Sequence, residues 1–288
     1  MSKASDRPPV GASTRATITA VEEGSIAERE DVVAVEEPLE IRIAAEFAGV
    51  RRSRSFSITM RSPGHDFELA VGFLLSEGIL AGSGDIWRIA YCEDSDSDDA
   101  ANTVEVHLQP GVAVDPERFR RNVYISSSCG VCGKESIAAL RRLGGQPPAG
   151  DLVVEGRTIR SLPEKLLSSQ EVFSRTGGLH ACGVFSRHGA LELVREDVGR
   201  HNAVDKAVGR LLLDGALPAA SSIFLVSGRT SFELVHKTMT AGVSVLLSVG
   251  APSSLAVDTA RAFGMTLVGF VREDRFNVYC GRDRIAGL

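Results

Sequence analysis

The chain of 288 residues is long enough for one large domain or two smaller ones, and it can bury roughly three quarters of its unfolded surface. Its 43% hydrophobic and 24% charged residues exclude a wholly disordered chain and a collagen. Apolar runs such as Ile223–Val226 and Val243–Leu247 are too short to cross a bilayer, which argues against a membrane protein. The net charge of −5 argues against a nucleic-acid partner.

The N-terminal 35 residues contain charges and Pro8-Pro9 but no apolar core of a signal peptide. We therefore expect a largely disordered arm over residues 1–35 and a cytoplasmic protein. The chain has five cysteines, an odd number, and only Cys129 and Cys132 lie close together. This usage is typical of a reducing compartment with one special pair of thiols.

The first half of the chain shows the alternating pattern of strands. Leu39–Phe47 and Phe56–Met60 predict an antiparallel hairpin, after which Asp66 can cap a helix. Further strands are predicted at Ile86–Cys92 and Val104–Leu108. These elements indicate a small antiparallel α+β domain.

The second half alternates between strands and helices after a predicted helix at 202–213. The alternation predicts parallel strand pairing with right-handed crossovers, which is an α/β arrangement. The predicted elements are strands at 223–226, 243–249 and 266–271 and helices at 231–241 and 253–263. We place the small domain at 36–121 and the α/β domain at 122–288.

Ligands of parallel sheets bind beyond the carboxyl ends of the strands, where three segments of this chain fall: Ser227–Thr230, Ala251–Ser254 and Phe270–Arg275. Thr230 and Glu233 have the spacing of a capping box. Helix N-termini with nearby arginines suit phosphate groups, whereas the alternative is ordinary capping with surface arginines. On the pattern alone we weigh the two interpretations equally.

The most distinctive local feature is the segment Ser126–Glu135, which contains Cys129 and Cys132 among Ser and Gly residues. A helix is predicted to follow, and its N-terminal dipole together with Lys134 favours a thiolate. A thiolate is the nucleophile needed for thiol exchange or for accepting a sulfane sulfur.

Four interpretations of the cysteine pair compete. A buried structural pair is disfavoured because Ser and Gly make a poor core. A zinc site as in deaminases needs a proline before the pair and an upstream H-x-E, whereas Ser128 precedes it and neither His65 nor His107 begins such a motif. A thioredoxin-like dithiol follows the first strand of a compact fold, and this pair lies in mid-chain. A persulfide carrier needs one reactive thiol on a mobile loop, which this segment supplies.

Two other polar clusters are candidates for function. Thr176–His180 places a Gly turn ahead of a histidine, although a lone histidine is more often structural. Arg195–Lys206 gathers charged groups, Gly199 and His201 at the start of a helix, and here a functional role is favoured.

These residues together resemble the formate dehydrogenase accessory sulfurtransferase family, FdhD. The matching stretches occur in order from about residue 36 to 280, and they leave out the N-terminal arm. Cys182 stands where the family often has Ala, so it receives no role. The stretches are Glu37–Arg42, Met60–Ala70, Gly72–Ile79, Ser128–Lys134, Thr176–His180, Arg195–Lys206, Ser227–Glu233, Ala251–Val257 and Phe276–Tyr279.

The resemblance implies a sulfur carrier required for formate dehydrogenase activity, with a larger domain of the cytidine-deaminase-like three-layer α/β type. Members accept sulfur from a cysteine desulfurase as a persulfide and pass it to the molybdenum cofactor, a bis(molybdopterin guanine dinucleotide). The cofactor is then inserted into the catalytic subunit of formate dehydrogenase. Cys129 matches the persulfide position and Cys132 is the resolving or relay thiol.

We expect the cofactor to be a bound client, with GDP as an analogue of one end, and we expect no metal at the cysteines. Two alternatives are a zinc-dependent deaminase-like hydrolase and a chaperone that binds the cofactor without moving sulfur. A homodimer is one candidate for the oligomeric state. The residues assigned to the cofactor are His180, Arg200, His201, Ser227, Gly228, Arg229, Ser253, Phe270, Val271, Arg272, Glu273, Asp274 and Arg275.

Overall fold

A computed structural model describes residues 11–47, 49–92, 101–112, 114 and 148–288. Within these ranges the chain forms six α-helices and 14 strands in four sheets, an α+β architecture. None of these helices is long and apolar enough to cross a bilayer. The helices are α1 Asp66–Ser76, α2 Gly156–Ser168, α3 Glu171–Thr176, α4 Arg200–Leu213, α5 Phe232–Thr240 and α6 Ser254–Ala262.

The strands divide into a four-stranded sheet, a six-stranded sheet and two two-stranded pairs. The first eight are β1 Ser13–Glu22, β2 Ser25–Ala34, β3 Glu37–Phe47, β4 Val50–Arg61, β5 Ile86–Tyr91, β6 Thr103–Leu108, β7 Val154–Glu155 and β8 His180–Phe185. The others are β9 Leu191–Asp197, β10 Ile223–Val226, β11 Val245–Ser248, β12 Thr266–Gly269, β13 Asn277–Cys280 and β14 Ile285–Ala286.

The N-terminal segment is a hairpin, and the expectation of a disordered arm is wrong for residues 11–35. β1 and β2 pair over ten residues each through a turn at Gly24, whose φ is 85°. The alternating Thr, Val and Ile residues favour strands despite the many charges, and Arg15 pairs with Glu30 across the hairpin at 3.0 Å. β2 also packs against α3. Residues 1–10 lie outside the described ranges.

The smaller sheet has the strand order β4-β3-β6-β5, and the predicted β3–β4 hairpin is confirmed. The prediction of a purely antiparallel sheet is wrong, because β3 and β6 are parallel. After β4, α1 and β5 take the chain to the far edge of the sheet. β6 then returns to the middle of the sheet in the direction of β3.

The start of α1 also differs from the prediction. His65 occupies the N-cap position with φ 57°, and Asp66 is the first helical residue rather than the cap. The Asp66 carboxylate lies 3.0 Å from the guanidinium of Arg61, which is 1% exposed. A buried arginine is costly without an anionic partner, which explains why the carboxylate lies there.

The larger sheet has the order β13-β12-β11-β10-β8-β9. β10, β11 and β12 are parallel, as predicted, and β8 runs antiparallel to β10. Ile223 and Leu225 of β10 belong to a core with α2, whereas Phe224 and Val226 belong to a core with α4, α5 and α6. Helices therefore cover both faces of the sheet, and the parallel strands are buried on both sides.

The two sheets are joined where α1 crosses α4. A Cβ on Gly72 would lie 1.9 Å from the carbonyl oxygen of Asp205, and one on Gly209 would lie 1.8 Å from that of Glu68. A single hydrophobic cluster extends from the smaller sheet through this crossing to the larger sheet. The division into domains at 36–121 and 122–288 stays a prediction. In the described residues, the hydrophobic core is continuous from one side of that boundary to the other.

Gly209→Ala should destabilise the protein by about 3 kcal/mol, because the added methyl group must push α1 away from α4. A loss of stability would distinguish this crossing from an unconstrained helix, in which Gly→Ala stabilises the protein by about 1 kcal/mol. Urea unfolding measures the difference. Gly82→Ala is the control, as the space within 4 Å of the position of its added methyl group is open. A Gly209→Ala variant as stable as the wild type would show that the crossing is not constrained.

A second prediction concerns Glu68, which receives a hydrogen bond of 2.8 Å from Arg195. Burial alone raises the pKa of Glu68, but the hydrogen bonds and charges of Arg195 and His65 outweigh it and lower the pKa from 4.5 to about 2. The ionised form therefore stabilises the fold above pH 4.5, and this contribution is lost as the pH falls towards 2.

Glu68→Gln lacks this titration, so the stability gap between wild type and variant should narrow by roughly 2 kcal/mol between about pH 6 and pH 3. Unfolding by urea at the two pH values measures the gap. Glu192→Gln, at an exposed glutamate of β9, controls for the loss of one carboxylate. A gap that stays constant for Glu68→Gln would contradict the pairing with Arg195.

Candidate functional site

The loops after β10, β11 and β12 lie side by side at one edge of the larger sheet, as the parallel strands predicted. The Gly250 N–H donates to the Gly228 carbonyl at 3.1 Å, and the Phe270 N–H donates to the Gly250 carbonyl at 3.0 Å. A Cβ on Gly250 would lie 2.9 Å from the Gly228 carbonyl oxygen. Glycine is therefore required where the three loops meet.

The capping box predicted at Thr230 and Glu233 is wrong. Ser231 occupies the N-cap position of α5, and Glu233 instead lies 2.8 Å from Nε2 of His201. Thr230 is buried, and its N–H donates to the Ala251 carbonyl at 3.1 Å. An imidazole N–H stabilises the Glu233 carboxylate more than a backbone N–H at the helix end does. This explains why Glu233 contacts His201 and does not complete a capping box.

A cavity of about 610 Å³, here called the α2–α3 cavity, opens beside these loops. Its walls are mainly apolar side chains, with arginines and glutamates on the rim. Four predicted cofactor residues line it, namely His180, Ser227, Arg272 and Glu273, together with the glycine turn before His180. The remaining lining residues include Arg160, Pro163, Glu164, Leu166, Leu167, Gln170, Phe173, Leu179 and Val249.

Arg272 is held in place at this cavity. Its Nη1 donates to the carbonyls of Val249 at 2.7 Å and Val271 at 2.8 Å, which leaves its other donors for a ligand. Phe270, before it, has φ 53° and is 40% exposed. A non-glycine residue in the left-handed region is uncommon and strained, and such residues cluster at ligand sites.

His180 reaches the same edge because β8 is antiparallel to β10, so that the start of β8 adjoins the end of β10. The Ala181 N–H donates to Ser227 Oγ at 2.9 Å, which fixes the two strands there. Burial lowers the pKa of His180, and the charges of Arg200, His201 and Arg229 lower it further. The imidazole is therefore neutral at pH 7, and it can donate and accept a hydrogen bond.

A second cavity of about 520 Å³, the α1–α5 cavity, lies between β4, α1, α4 and α5. Arg200, His201 and His180 line it, so His180 borders both cavities. Inside it, Lys237 Nζ lies 2.8 Å from both carboxylate oxygens of Asp205. Burial and the neighbouring charge of Lys237 lower the pKa of His236 to about 4.

The remaining predicted site residues do not line either cavity. The side chain of Val271 is fully buried in the core, and the assignment of this residue to the cofactor stays a prediction. Ser253 Oγ accepts from the Ala256 N–H at 3.2 Å and caps α6. Gly228 packs against His180, whereas Arg229, Asp274 and Arg275 lie on the loops outside both cavities. Cys129 and Cys132 lie outside the described residues.

Sequence reasoning missed the contributions of α2, α3 and α5. The spacing of Ile159, Leu162 and Leu166 is helical and could have revealed α2, but nothing in it shows that Leu167 and Phe173 line a cavity. No local sequence pattern indicated that His236 and Lys237 line a cavity. Across the described part of the chain, no three His, Cys, Asp or Glu side chains are placed to hold a metal ion.

Comparisons with known proteins agree with this architecture. The chain is 48% identical over 276 residues to "Sulfur carrier protein FdhD" of Streptomyces coelicolor, covering 94% of this chain and 95% of the relative. A protein of the same name from Mycolicibacterium paratuberculosis is 46% identical, with coverages of 94% and 98%. The crystal structure of a protein described as a formate dehydrogenase accessory protein of Desulfotalea psychrophila superposes with a TM-score of 0.74 at 26% identity, covering 95% of this chain and 99% of the other.

The family described as FdhD/NarQ matches residues 34–286, which is nearly the whole chain beyond the N-terminal hairpin. The match includes both sheets, the strand-end loops and the cysteine pair. The chain therefore belongs to the FdhD/NarQ family.

Proposed function

We propose that this chain is a sulfur carrier that serves formate dehydrogenase. The relatives named as sulfur carriers cover almost all of its length. The observation that carries the proposal furthest is the edge of the larger sheet, where three loops, His180 and Arg272 surround a cavity of nucleotide size. Such an edge suits a client cofactor that contains diphosphates.

The sulfur-carrying group is the thiolate of Cys129. It attacks the outer sulfur of a persulfide on a cysteine desulfurase, the sulfur–sulfur bond of the donor breaks, and the donor cysteine leaves as a thiolate. Cys129 then holds the sulfur as a persulfide for delivery to the molybdenum cofactor. Cys132 is the resolving or relay thiol, and formate dehydrogenase receives the cofactor afterwards.

The α2–α3 cavity is the proposed site for a guanine nucleotide end of the cofactor. Leu166, Phe173 and Leu179 give the base apolar contacts, and Arg272 gives its phosphates a charged donor. Glu273 offers a carboxylate that can accept from the amide and amino groups of guanine. We further propose a cytidine-deaminase-type architecture for the larger domain, supported by helices on both faces of its sheet, and a cytoplasmic location, where thiols stay reduced.

Cys129→Ala should abolish persulfide formation, because no other thiol stands at the carrier position. Mass spectrometry after incubation with a cysteine desulfurase and cysteine should show an adduct of about 32 Da on the wild type, the mass of one sulfur atom. Cys132→Ala should retain the adduct and reduce sulfur transfer less than Cys129→Ala does, since one thiol suffices to hold the persulfide. Full activation of formate dehydrogenase by Cys129→Ala would rule out the carrier role. Equal and complete loss of sulfur transfer in both variants would favour a required disulfide or a metal bound by the two cysteines.

GDP should bind the wild type without metal, and Arg272→Ala should weaken binding about tenfold, the effect of one charge-assisted hydrogen bond. Arg229 does not line the cavity, so Arg229→Ala should weaken GDP binding less, through the loss of its charge alone. Calorimetry measures both affinities. Arg284→Ala is the matched control, because Arg284 also binds a backbone carbonyl but at the opposite edge of the sheet, at Gly264. An unchanged affinity for GDP in Arg272→Ala would show that the nucleotide does not bind in this cavity.

A further inference from the structure

The β1–β2 hairpin is attached to the rest of the protein near its base, where β2 packs against α3. The Val35 N–H donates to the Ala12 carbonyl at 3.0 Å and closes this base. From there the two strands of ten residues extend about 33 Å, at about 3.3 Å per residue. The hairpin forms a sheet of its own within the described part of the chain. A two-stranded hairpin is marginally stable in water, so a further surface that covers it would stabilise it.

The far end of the hairpin exposes an apolar pair. Val21 and Ile26 lie directly opposite each other in the register, and they are 73% and 75% exposed. Two large apolar side chains that lie side by side at the surface gain free energy when a partner covers them. The tip of the hairpin is therefore suited to a contact with another surface.

The hairpin is also acidic. Its two strands and their turn contain five acidic residues and two arginines, which gives a net charge of −3. Arg15 pairs with Glu30 at 3.0 Å, and Arg29 lies 3.4 Å from Glu22. Both arginines thus have partners within the hairpin, whereas Glu28 has no cationic partner among the described residues. The excess of negative charge favours a basic partner surface.

The strand β4 has a free edge. It is the outermost strand of the smaller sheet, and no strand in the described ranges pairs with its outer side. Asn202 of α4 donates to the Met60 carbonyl at 2.7 Å and covers the end of β4, whereas residues 50–58 are mainly exposed. An exposed strand edge presents unpaired backbone groups to which a further strand can bind.

The exposed part of β4 is complementary to the hairpin in charge. The whole strand contains four arginines and no acidic residue. Arg52 and Arg54 are exposed, and neither forms an ion pair with another described residue. Val50 and Ile58 are 49% and 67% exposed, so this edge also offers apolar contacts.

We propose that the hairpin of one copy of this chain pairs along β4 of a second copy, and that two copies exchange their hairpins reciprocally. Glu28 and Glu30 are two residues apart and share one face of β2. Arg52 and Arg54 likewise share one face of β4. The added strand extends the smaller sheet through backbone hydrogen bonds, and the opposite charges select the partner.

The interface is separate from the sulfur chemistry. The family match begins at residue 34, so nearly all of the hairpin lies outside it. The pairing of two copies requires no ligand and no thiol, and it therefore does not depend on the proposed function.

Light scattering coupled to size-exclusion chromatography of the full chain tests this inference. The wild type should have twice the 30.6 kDa mass of one chain. The hairpin variant, Glu28→Lys with Glu30→Lys, and the edge variant, Arg52→Glu with Arg54→Glu, each bring like charges together. Each should raise the dissociation constant of the dimer about tenfold or more.

Mixing the two variants makes the test specific to this pairing. In the mixture, the basic hairpin of one variant meets the acidic edge of the other, and the acidic hairpin of the second meets the unchanged arginines of the first. Both interfaces of the dimer are then complementary, so the mixture should recover the wild-type mass. All four residues are exposed, and the Arg15–Glu30 pair that is lost is itself exposed, so both variants should fold. Circular dichroism checks their folding.

The control reverses two exposed acidic residues outside both surfaces, Glu192→Lys with Asp258→Lys, and should stay dimeric. A monomeric wild type at micromolar concentration would overturn the inference. A dimer whose dissociation constant is the same in the wild type and both variants would place the interface elsewhere. Variants that dissociate but do not dimerise when mixed would show that the hairpin and β4 do not pair with each other.

Discussion

The close crossing of α1 and α4 is the contact on which the rest of the structure depends. Gly72 and Gly209 let each helix backbone approach the other to a distance that no side chain allows. This approach brings the smaller sheet against the larger one, and it makes their hydrophobic cores continuous. The α1–α5 cavity exists because α1 and β4 are held at this distance from α4 and α5.

Buried ion pairs surround the crossing and fix its geometry. Lys206 lies 2.7 Å from Asp197, and Lys237 lies 2.8 Å from Asp205. Buried pairs of this kind contribute little net stability over an apolar contact, but removing one partner leaves an uncompensated charge. Asp197 also accepts from the Ser62 N–H at 3.2 Å, and Asp205 accepts from Ser76 Oγ at 3.2 Å, so the pairs also hold the segment after β4 and the end of α1 against α4. Lys237 and Asp205 also line the α1–α5 cavity, so the same pair supports the fold and shapes that cavity.

The edge of the larger sheet adds the second constraint, which is topological. Three parallel strands bring their following loops together, and the antiparallel β8 brings His180 to the same edge from a distant part of the sequence. His180 then stands between a mainly apolar cavity with arginines on its rim and a cavity of paired charges. One neutral imidazole at this position borders both environments without adding charge to either.

Local patterns in the sequence determined the strands β3, β4 and β10 to β12 and the helices α1, α4, α5 and α6, because alternation and helical spacing are visible within about ten residues. They also determined that the loops at 227–230, 251–254 and 270–275 share an edge, since parallel pairing requires it. Tertiary structure alone decided that Asp66 binds Arg61, that Glu233 binds His201 and that Val271 is buried. It also decided which residues line the two cavities. The contact of Glu233 with His201 and the burial of Val271 depend on partners distant in the chain. Asp66 is only five residues from Arg61, but their pairing depends on the burial of that arginine in the folded protein. Local sequence patterns record none of these effects.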